Sequence, residues 1–192
     1  MVEGVVSIGL ARRLARRLGG AMIAAVLAAQ LGTSAFAEDA PDPRTRNEAA
    51  RVAQQIEREV GQAQLTRERR TFPTCLPQPS VHERFRDGEN VTRRYDVDWR
   101  GGDARVFQRL VYYYDRLGRL RLMVAEIGAA NGTREQVRIV FALDGSRLAE
   151  TRRRLAGNGS AAPTPWPDTL VVRSPEHAFA EQTGCGVPGL RW

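Results

Sequence analysis

The sequence feature that most constrains the fold is a series of short alternating segments between residues 94 and 153. In the first segment, Tyr95, Val97 and Trp99 alternate with charged residues, which is typical of a strand with one buried and one wet face. Turn signals then separate further strand-like segments at 105–114, 119–127 and 134–143. Residues 147–153 fit either a fifth strand or a short helix. The pattern therefore predicts an antiparallel meander of four or five strands.

The turn at residues 115–118 predicts the register of one hairpin. Asp115 and Gly118 are spaced as in a type I turn that continues into a G1 bulge. If the two strands then pair residue by residue, three apolar pairs share one face: Tyr114 with Leu120, Tyr112 with Leu122, and Leu110 with Val124. A shift of one residue would move tyrosines opposite arginines, so the hydrophobic pattern and the turn agree.

Two helices flank the alternating segments. Residues 44–70 predict one long amphipathic helix, because apolar residues recur there at intervals of three and four. Ser174-Pro175-Glu176 begins a short second helix, with a capping serine and proline in the first helical position. We therefore expect an α+β fold, in which the long N-terminal helix packs on the tyrosine–leucine face of the meander and a short C-terminal helix follows.

The first 37 residues have the three parts of a secretory signal peptide. Paired arginines at 12–13 and 16–17 precede the apolar run 21–29, and Ala35-Phe36-Ala37 provides a small-x-small cleavage site. We expect cleavage of residues 1–37, which leaves one exported domain at 38–192 in the periplasm or outside the cell. An uncleaved anchor is the alternative. No later segment is apolar enough to predict a transmembrane span.

Charge and composition exclude several kinds of chemistry. All 29 basic residues are arginine, so a Walker A loop, a lysine Schiff base and a Ser–Lys dyad are absent. Without residues 1–37 the chain has 25 basic and 21 acidic residues, a formal charge of +4. This mild bias favours an anionic partner but not nucleic acid. No motif indicates a cofactor or a metal.

Cys75 and Cys185 are the two cysteines of the chain. In an oxidising compartment such a pair predicts a disulfide, and neither residue has the CxxC neighbour of a redox enzyme. Two free thiols are the alternative.

The predicted register also defines a candidate binding surface on the far side of the meander. Arginine, aromatic and methionine side chains, which are enriched in protein interfaces, would lie together there. The residues assigned to this surface are Phe107, Arg109, Tyr113, Arg119, Arg121, Met123 and Arg138. If no other element covers them, they would bind a protein or an anionic envelope component. An ordinary half-covered sheet face is the other interpretation.

The function predicted from these features is that of a non-enzymatic envelope protein, such as an inhibitor, an immunity protein or an assembly accessory. The alternative is a small cell-envelope hydrolase. It would use His82 or His177, the only histidines, as general base near a nucleophile or carboxylate. A purely structural envelope component is a third possibility.

Overall fold

The computed structural model describes residues 43–72 and 79–180. Its elements follow one another along the chain as α1 (Pro43–Gly61), β1 (Thr66–Phe72), β2 (Ser80–Arg86), β3 (Thr92–Arg100), β4 (Phe107–Tyr114), β5 (Leu120–Gly128), β6 (Arg134–Phe141), β7 (Arg147–Ala156), a 3-10 turn (Asp168–Leu170) and α2 (Pro175–Ala180). Within these residues, neither helix has the length and apolar character that crossing a bilayer requires.

The seven strands form one sheet whose spatial order is the chain order, and every neighbouring pair is antiparallel. The predicted α+β class is confirmed, with an antiparallel meander, an N-terminal helix and a short C-terminal helix. The predicted strand count of four or five is wrong, since β1 and β2 precede the segment from which it was derived. Residues 147–153 belong to strand β7 rather than to a helix.

The first helix ends earlier than the predicted residue 70. Gly61 is its last residue, and the N–H groups of Ala63 and Gln64 donate to the carbonyls of Val60 and Glu59. These bonds, with Ala63 at φ 54°, form a Schellman motif that stops the helix. The chain then turns through buried Leu65 into β1, whose Arg- and Glu-rich composition resembles the wet face of a helix.

The hairpin of β4 and β5 follows the predicted register only at its turn. Gly118 has φ 72°, and Tyr114 lies opposite Leu120 as expected. A bulge then places Tyr113 opposite Leu122, with Arg121 as the additional residue on β5. The other predicted pairs are therefore wrong: Tyr112 lies opposite Met123 and Leu110 lies opposite Ala125. From Leu122 onward, each β5 side chain therefore points to the face opposite to the one that the predicted register assigned to it.

The two faces of the sheet are covered by different segments. On the helix face, α1 buries Ala49, Ala53 and Ile56 against a cluster that includes Tyr113 and Leu122. On the strap face, residues 161–179, which we call the strap, cover a larger apolar layer. That layer contains Tyr95, Val97, Leu110, Tyr112, Tyr114, Leu120, Met123, Ala125, Ile127, Val137, Ile139 and Phe141. The prediction that α1 covers the tyrosine–leucine layer is therefore wrong.

Hydrogen bonds fasten the strap to the sheet. The hydroxyls of Tyr112 and Tyr114 donate to the carbonyls of Leu170 and Val172 at 2.7 and 2.8 Å. At the other end of the strap, the Glu135 carboxylate accepts the N–H groups of two consecutive alanines, Ala161 and Ala162, at 3.0 and 3.1 Å. Burial opposes ionisation of Glu135, but these N–H donors outweigh it and lower its pKa. Buried polar groups at both ends of the strap therefore have partners.

A candidate binding cleft on the helix face

The side chains of the helix face form rows across the strands, since directly paired residues point to the same side. The row that α1 covers is mainly apolar and runs through Tyr113, Leu122 and Val140. Two residues further along each strand the rows become polar. One contains Glu83, Asp96, Val111, Val124 and Arg138, and the next contains Val81, Asp98, Arg109, Glu126, Gln136 and Arg153.

A cavity of about 360 Å³ lies over the β1–β4 part of these polar rows. Its charged lining residues, which define what we call the arginine cleft, are Arg69, Glu83, Asp96, Asp98, Arg100 and Arg109. A second cavity of about 250 Å³ lies between the sheet and Glu57 of α1, and Arg109 lines it as well. Arg109 is thus placed to contact a ligand in either cavity.

One lining residue of the cleft, Asp96, belongs to an ionic network centred on buried Arg94, which lines the second cavity together with Glu57. Its Nε and Nη2 donate to the two carboxylate oxygens of Asp96 at 2.7 and 2.6 Å. Its Nη1 donates to both oxygens of Glu57 at 3.0 and 2.8 Å. Burial raises the pKa of Asp96, and the hydrogen bonds from Arg94 oppose that rise. Because its donors are used within the fold, Arg94 is a positioning residue rather than a free binding group.

The three arginines at the rim of the cleft keep most of their donors available. Arg109 is exposed and forms no ion pair with any other residue in the described ranges. Arg69 Nε lies 3.7 Å from the Glu83 carboxylate, and the Arg69 side chain is 61% exposed. Arg100 Nε lies 3.3 Å from Asp98, and its side chain is 76% exposed. Contacts of this length and exposure contribute little, so a ligand could replace them at small cost.

The structure separates the seven residues of the predicted binding surface. Tyr113 and Arg121 lie on the helix face but beneath α1, where Tyr113 donates to Glu57 and the Arg121 side chain is only 2% exposed. Arg121 forms ion pairs with Glu48 and Asp115. Met123 is fully buried on the strap face. An open surface containing all seven residues is therefore a wrong prediction, because the bulge at Arg121 reorients β5 and α1 covers the end of β4.

The other four predicted residues remain at least partly accessible. Arg109 is in the cleft, while Arg119 pairs with Asp115 at the hairpin turn. Phe107 lies over Gly128, where an added Cβ would be 2.4 Å from the phenyl ring. Arg138 is exposed on β6, near the opposite edge of the sheet. Of the predicted set, the cleft thus contains Arg109 alone, with Phe107 opposite Arg100 in the register of the β3–β4 pair.

The two histidines have contrasting environments. His82 is buried, with Nε2 3.0 Å from Ser80 Oγ and Nδ1 2.7 Å from Tyr95 Oη. Burial lowers the pKa of His82 to about 4, so its ring is neutral at pH 7. His177 is exposed in the first turn of α2.

Three cleft residues could not be placed from the sequence. Arg69 and Glu83 lie on β1 and β2, which alternation in the central segments did not reveal. Asp96 is assigned by its alternation to a wet face, whereas the Arg94 guanidinium and the neighbouring strands bury it. The available signal in β2 was weak: Val81 and Phe85 are an even number of positions apart, so they lie on one face of an extended segment.

The predicted disulfide partners Cys75 and Cys185 lie outside the described residues. Among those described, no group of three histidine, cysteine, aspartate or glutamate side chains is arranged to hold a metal ion. Comparisons with protein-family models, curated proteins and solved structures find no match to this chain.

Proposed function

We propose that this chain is an exported, non-enzymatic envelope protein that binds a macromolecular partner through the arginine cleft. An inhibitor, an immunity protein or an assembly accessory would act in this way. The observation that carries the proposal is the rim formed by Arg69, Arg100 and Arg109. Within the described fold, these guanidinium groups make only one hydrogen bond, from Arg100 Nε to Asp98, and one longer contact, between Arg69 and Glu83. The signal-like leader supports export.

The chemistry of the rim favours a protein partner with acidic side chains. A guanidinium binds a carboxylate through two parallel hydrogen bonds, which gives both energy and orientation. The neighbouring Phe107 adds apolar contact area of the kind enriched in interfaces. Of the three acids that line the cleft, Asp96 pairs with Arg94, Glu83 with Arg67 and Asp98 with Arg100. Their charge therefore opposes an acidic ligand less than free carboxylates would.

The test compares capture of a partner from periplasmic extract by the native chain and by an Arg100→Ala/Arg109→Ala variant. We expect the variant to lose the captured protein, and the loss to be reproduced with the purified partner. Arg51→Ala, on the exposed side of α1, is the matched control and should retain capture. If the double variant binds the purified partner as tightly as the native chain does, the cleft is not the binding site.

A small hydrolase remains the alternative, because Ser80, His82 and Tyr95 form a hydrogen-bonded chain. A serine hydroxyl within reach of an imidazole is the arrangement of an activated nucleophile. Two observations weigh against it: Ser80 and His82 are both buried, and a histidine with a pKa of about 4 is a weak base at neutral pH.

A fluorophosphonate probe separates the two functions. Under the binding proposal, the native chain should remain unlabelled. Covalent labelling that disappears in Ser80→Ala, but persists in a control such as Ser146→Ala at an exposed turn, would instead establish the hydrolase.

A further inference from the structure

Among the described residues, nothing pairs with the outer edge of the last strand of the sheet. β7 is ten residues long and pairs with β6 alone. No described residue outside the β6 ladder exchanges a backbone hydrogen bond with it. Backbone N–H and C=O groups along an unpaired edge are directed outward, where they can pair with another extended segment.

The side chains around this edge carry an unbalanced positive charge. On the helix side of β6 and β7, Arg138 and Arg153 are exposed and form no ion pair with another described residue. No carboxylate of β6 or β7 lies on that side. The acids of these strands, Glu135 and Glu150, point to the strap side, where Arg152 pairs with both.

The first strand of the sheet shows how this chain protects an edge with its own residues. On β1, Arg67 pairs with Glu83 of the neighbouring strand. Arg70 donates to the Phe179 carbonyl at 3.0 Å and lies over the Phe179 ring. Charged residues and bulges commonly blunt an edge against pairing. At β7, however, Arg153 and the exposed Arg154 have no corresponding partners in the described chain.

We propose that the free edge of β7 binds an extended acidic peptide segment, which adds to the sheet as an eighth, antiparallel strand. Backbone hydrogen bonds supply affinity in this mode, and alternate side chains supply specificity. Because successive side chains alternate in direction, acidic residues at every second position would all lie on the side of Arg138 and Arg153. The intervening residues would lie on the strap side, where β-branched residues such as threonine favour the extended conformation. A second copy of β7 is a poor occupant, since its own arginines would face these.

The probe for this site is a capped, fluorescently labelled peptide of four Thr-Glu repeats, titrated against the full chain at low ionic strength. We expect saturable binding that weakens by about tenfold or more in Arg138→Glu/Arg153→Glu, because a lost ion pair becomes a like-charge contact. Arg51→Glu/Arg58→Glu changes the net charge equally on the exposed side of α1 and should leave binding nearly unchanged. Equal weakening by both double variants would show nonspecific charge attraction and overturn the proposal.

Backbone methylation tests strand addition itself. In an added strand, alternate N–H groups point toward β7 and the others point away. Methylation of one alternating set should therefore abolish binding, and methylation of the other set should leave it. Equal effects of both sets would overturn the proposal. It would also be overturned if the chain self-associates without peptide and Arg153→Glu abolishes that self-association. Arg100→Ala/Arg109→Ala should not alter peptide binding, so failure here and failure of the cleft are distinguishable.

Discussion

The two faces of the sheet are built from the same alternating strands but are closed by different physical means. The strap face is dry, and neutral tyrosine hydroxyls meet backbone carbonyls across it. On the helix face, a narrow apolar stripe is bordered by ion pairs such as Arg94 with Glu57 and Arg121 with Glu48. The strap closes its face, whereas α1 leaves polar rows open. We therefore expect substitutions on the strap face to cost more stability than substitutions in the open rows of the helix face, where the proposed partner would bind.

The largest expected effect concerns the predicted Cys75–Cys185 disulfide, which would fasten the strap side. Phe72 is the last described residue before Cys75, and Phe179 is close to the last described residue before Cys185. Both rings belong to one aromatic cluster on the strap face. His82 is 4.5 Å from Phe72, and Tyr95 is 6.4 Å from Phe179, between ring centroids. A disulfide between Cys75 and Cys185 would close a loop of about 110 residues. Closing such a loop should stabilise the fold by about 4–5 kcal/mol.

Urea unfolding of the oxidised chain and of Cys75→Ser/Cys185→Ser measures this contribution. Thiol titration of the unfolded, unreduced chain provides the control. Two reactive thiols in that titration would contradict the disulfide and leave the strap held by noncovalent contacts.

Substitutions of Trp166 separate the contribution of packing from that of hydrogen bonding on the strap face. The side chain is fully buried, but its Nε1 has no hydrogen-bond partner among the described residues. Trp166→Ala should lower the free energy of unfolding by about 3–5 kcal/mol because it leaves a large void. Trp166→Phe retains much of the contact and removes the unsatisfied donor, so its cost should be well under half of that. Equal costs in chemical denaturation would show that the volume of the buried ring does not determine its contribution.

His82 makes the strap face sensitive to acid. Its folded-state pKa of about 4 lies below the ordinary value of 6.5, so the unfolded chain binds a proton more readily. The stability contributed by neutral His82 is therefore full above pH 6.5 and is lost as the pH falls toward 4. The loss is about 3 kcal/mol at most, from 1.36 kcal/mol per pKa unit.

Unfolding free energies measured at pH 7.5, 5.5 and 4.5 test this dependence. His82→Phe should be less stable than the native chain at pH 7.5 but should lose less stability over that interval. Parallel curves for the two proteins would contradict the assignment to His82.

A smaller contrast is expected between two neighbouring tyrosines on opposite faces. Tyr112→Phe leaves the buried Leu170 carbonyl without its donor and should cost about 1–3 kcal/mol. Tyr113→Phe removes a hydrogen bond to Glu57, whose side chain is 46% exposed and can turn to water. We expect less than about 1 kcal/mol for that change. If denaturation curves show a larger loss of stability for Tyr113→Phe than for Tyr112→Phe, the proposed difference between the two faces is wrong.

The smallest effect on stability is expected in the open part of the helix face. Arg109→Ala should change the free energy of unfolding by about 0.5 kcal/mol or less, as exposed substitutions usually do. The same variant is expected to weaken partner capture. A large destabilisation would mean that Arg109 supports the fold through the Asp96 network and is not a binding residue.

The sequence was most informative where alternation and turn chemistry coincide. The strands from Tyr95 to Phe141 and the turn at Gly118 follow from period two and from glycine's tolerance of positive φ. The meander could be predicted for the same reason, whereas the flanking helices were predicted from apolar residues three and four apart and from the capping residues at Ser174-Pro175. Strand β1 could not be predicted in this way. It is exposed on both sides, and its one apolar residue is Phe72 at its end, so its sequence is as polar as the exposed surface of a helix.

The candidate site was harder to predict than the fold. Residues 120–125 are apolar except for Arg121, so both registers bury a plausible set of side chains and the pattern cannot locate the bulge. Which face α1 covers depends on that bulge. The cleft also depends on β1 and β2, so Arg69 and Glu83 join Arg109 only through tertiary structure.

The order of the strands has a consequence for how the chain acquires its structure. Each strand pairs with the one that precedes it, so hairpins can close in succession through short loops. The tyrosine hydroxyls, in contrast, meet carbonyls 58 positions later in the chain. Until residues 161–179 pack on the sheet, the apolar layer beneath them is exposed to water, and such exposed apolar surface favours aggregation.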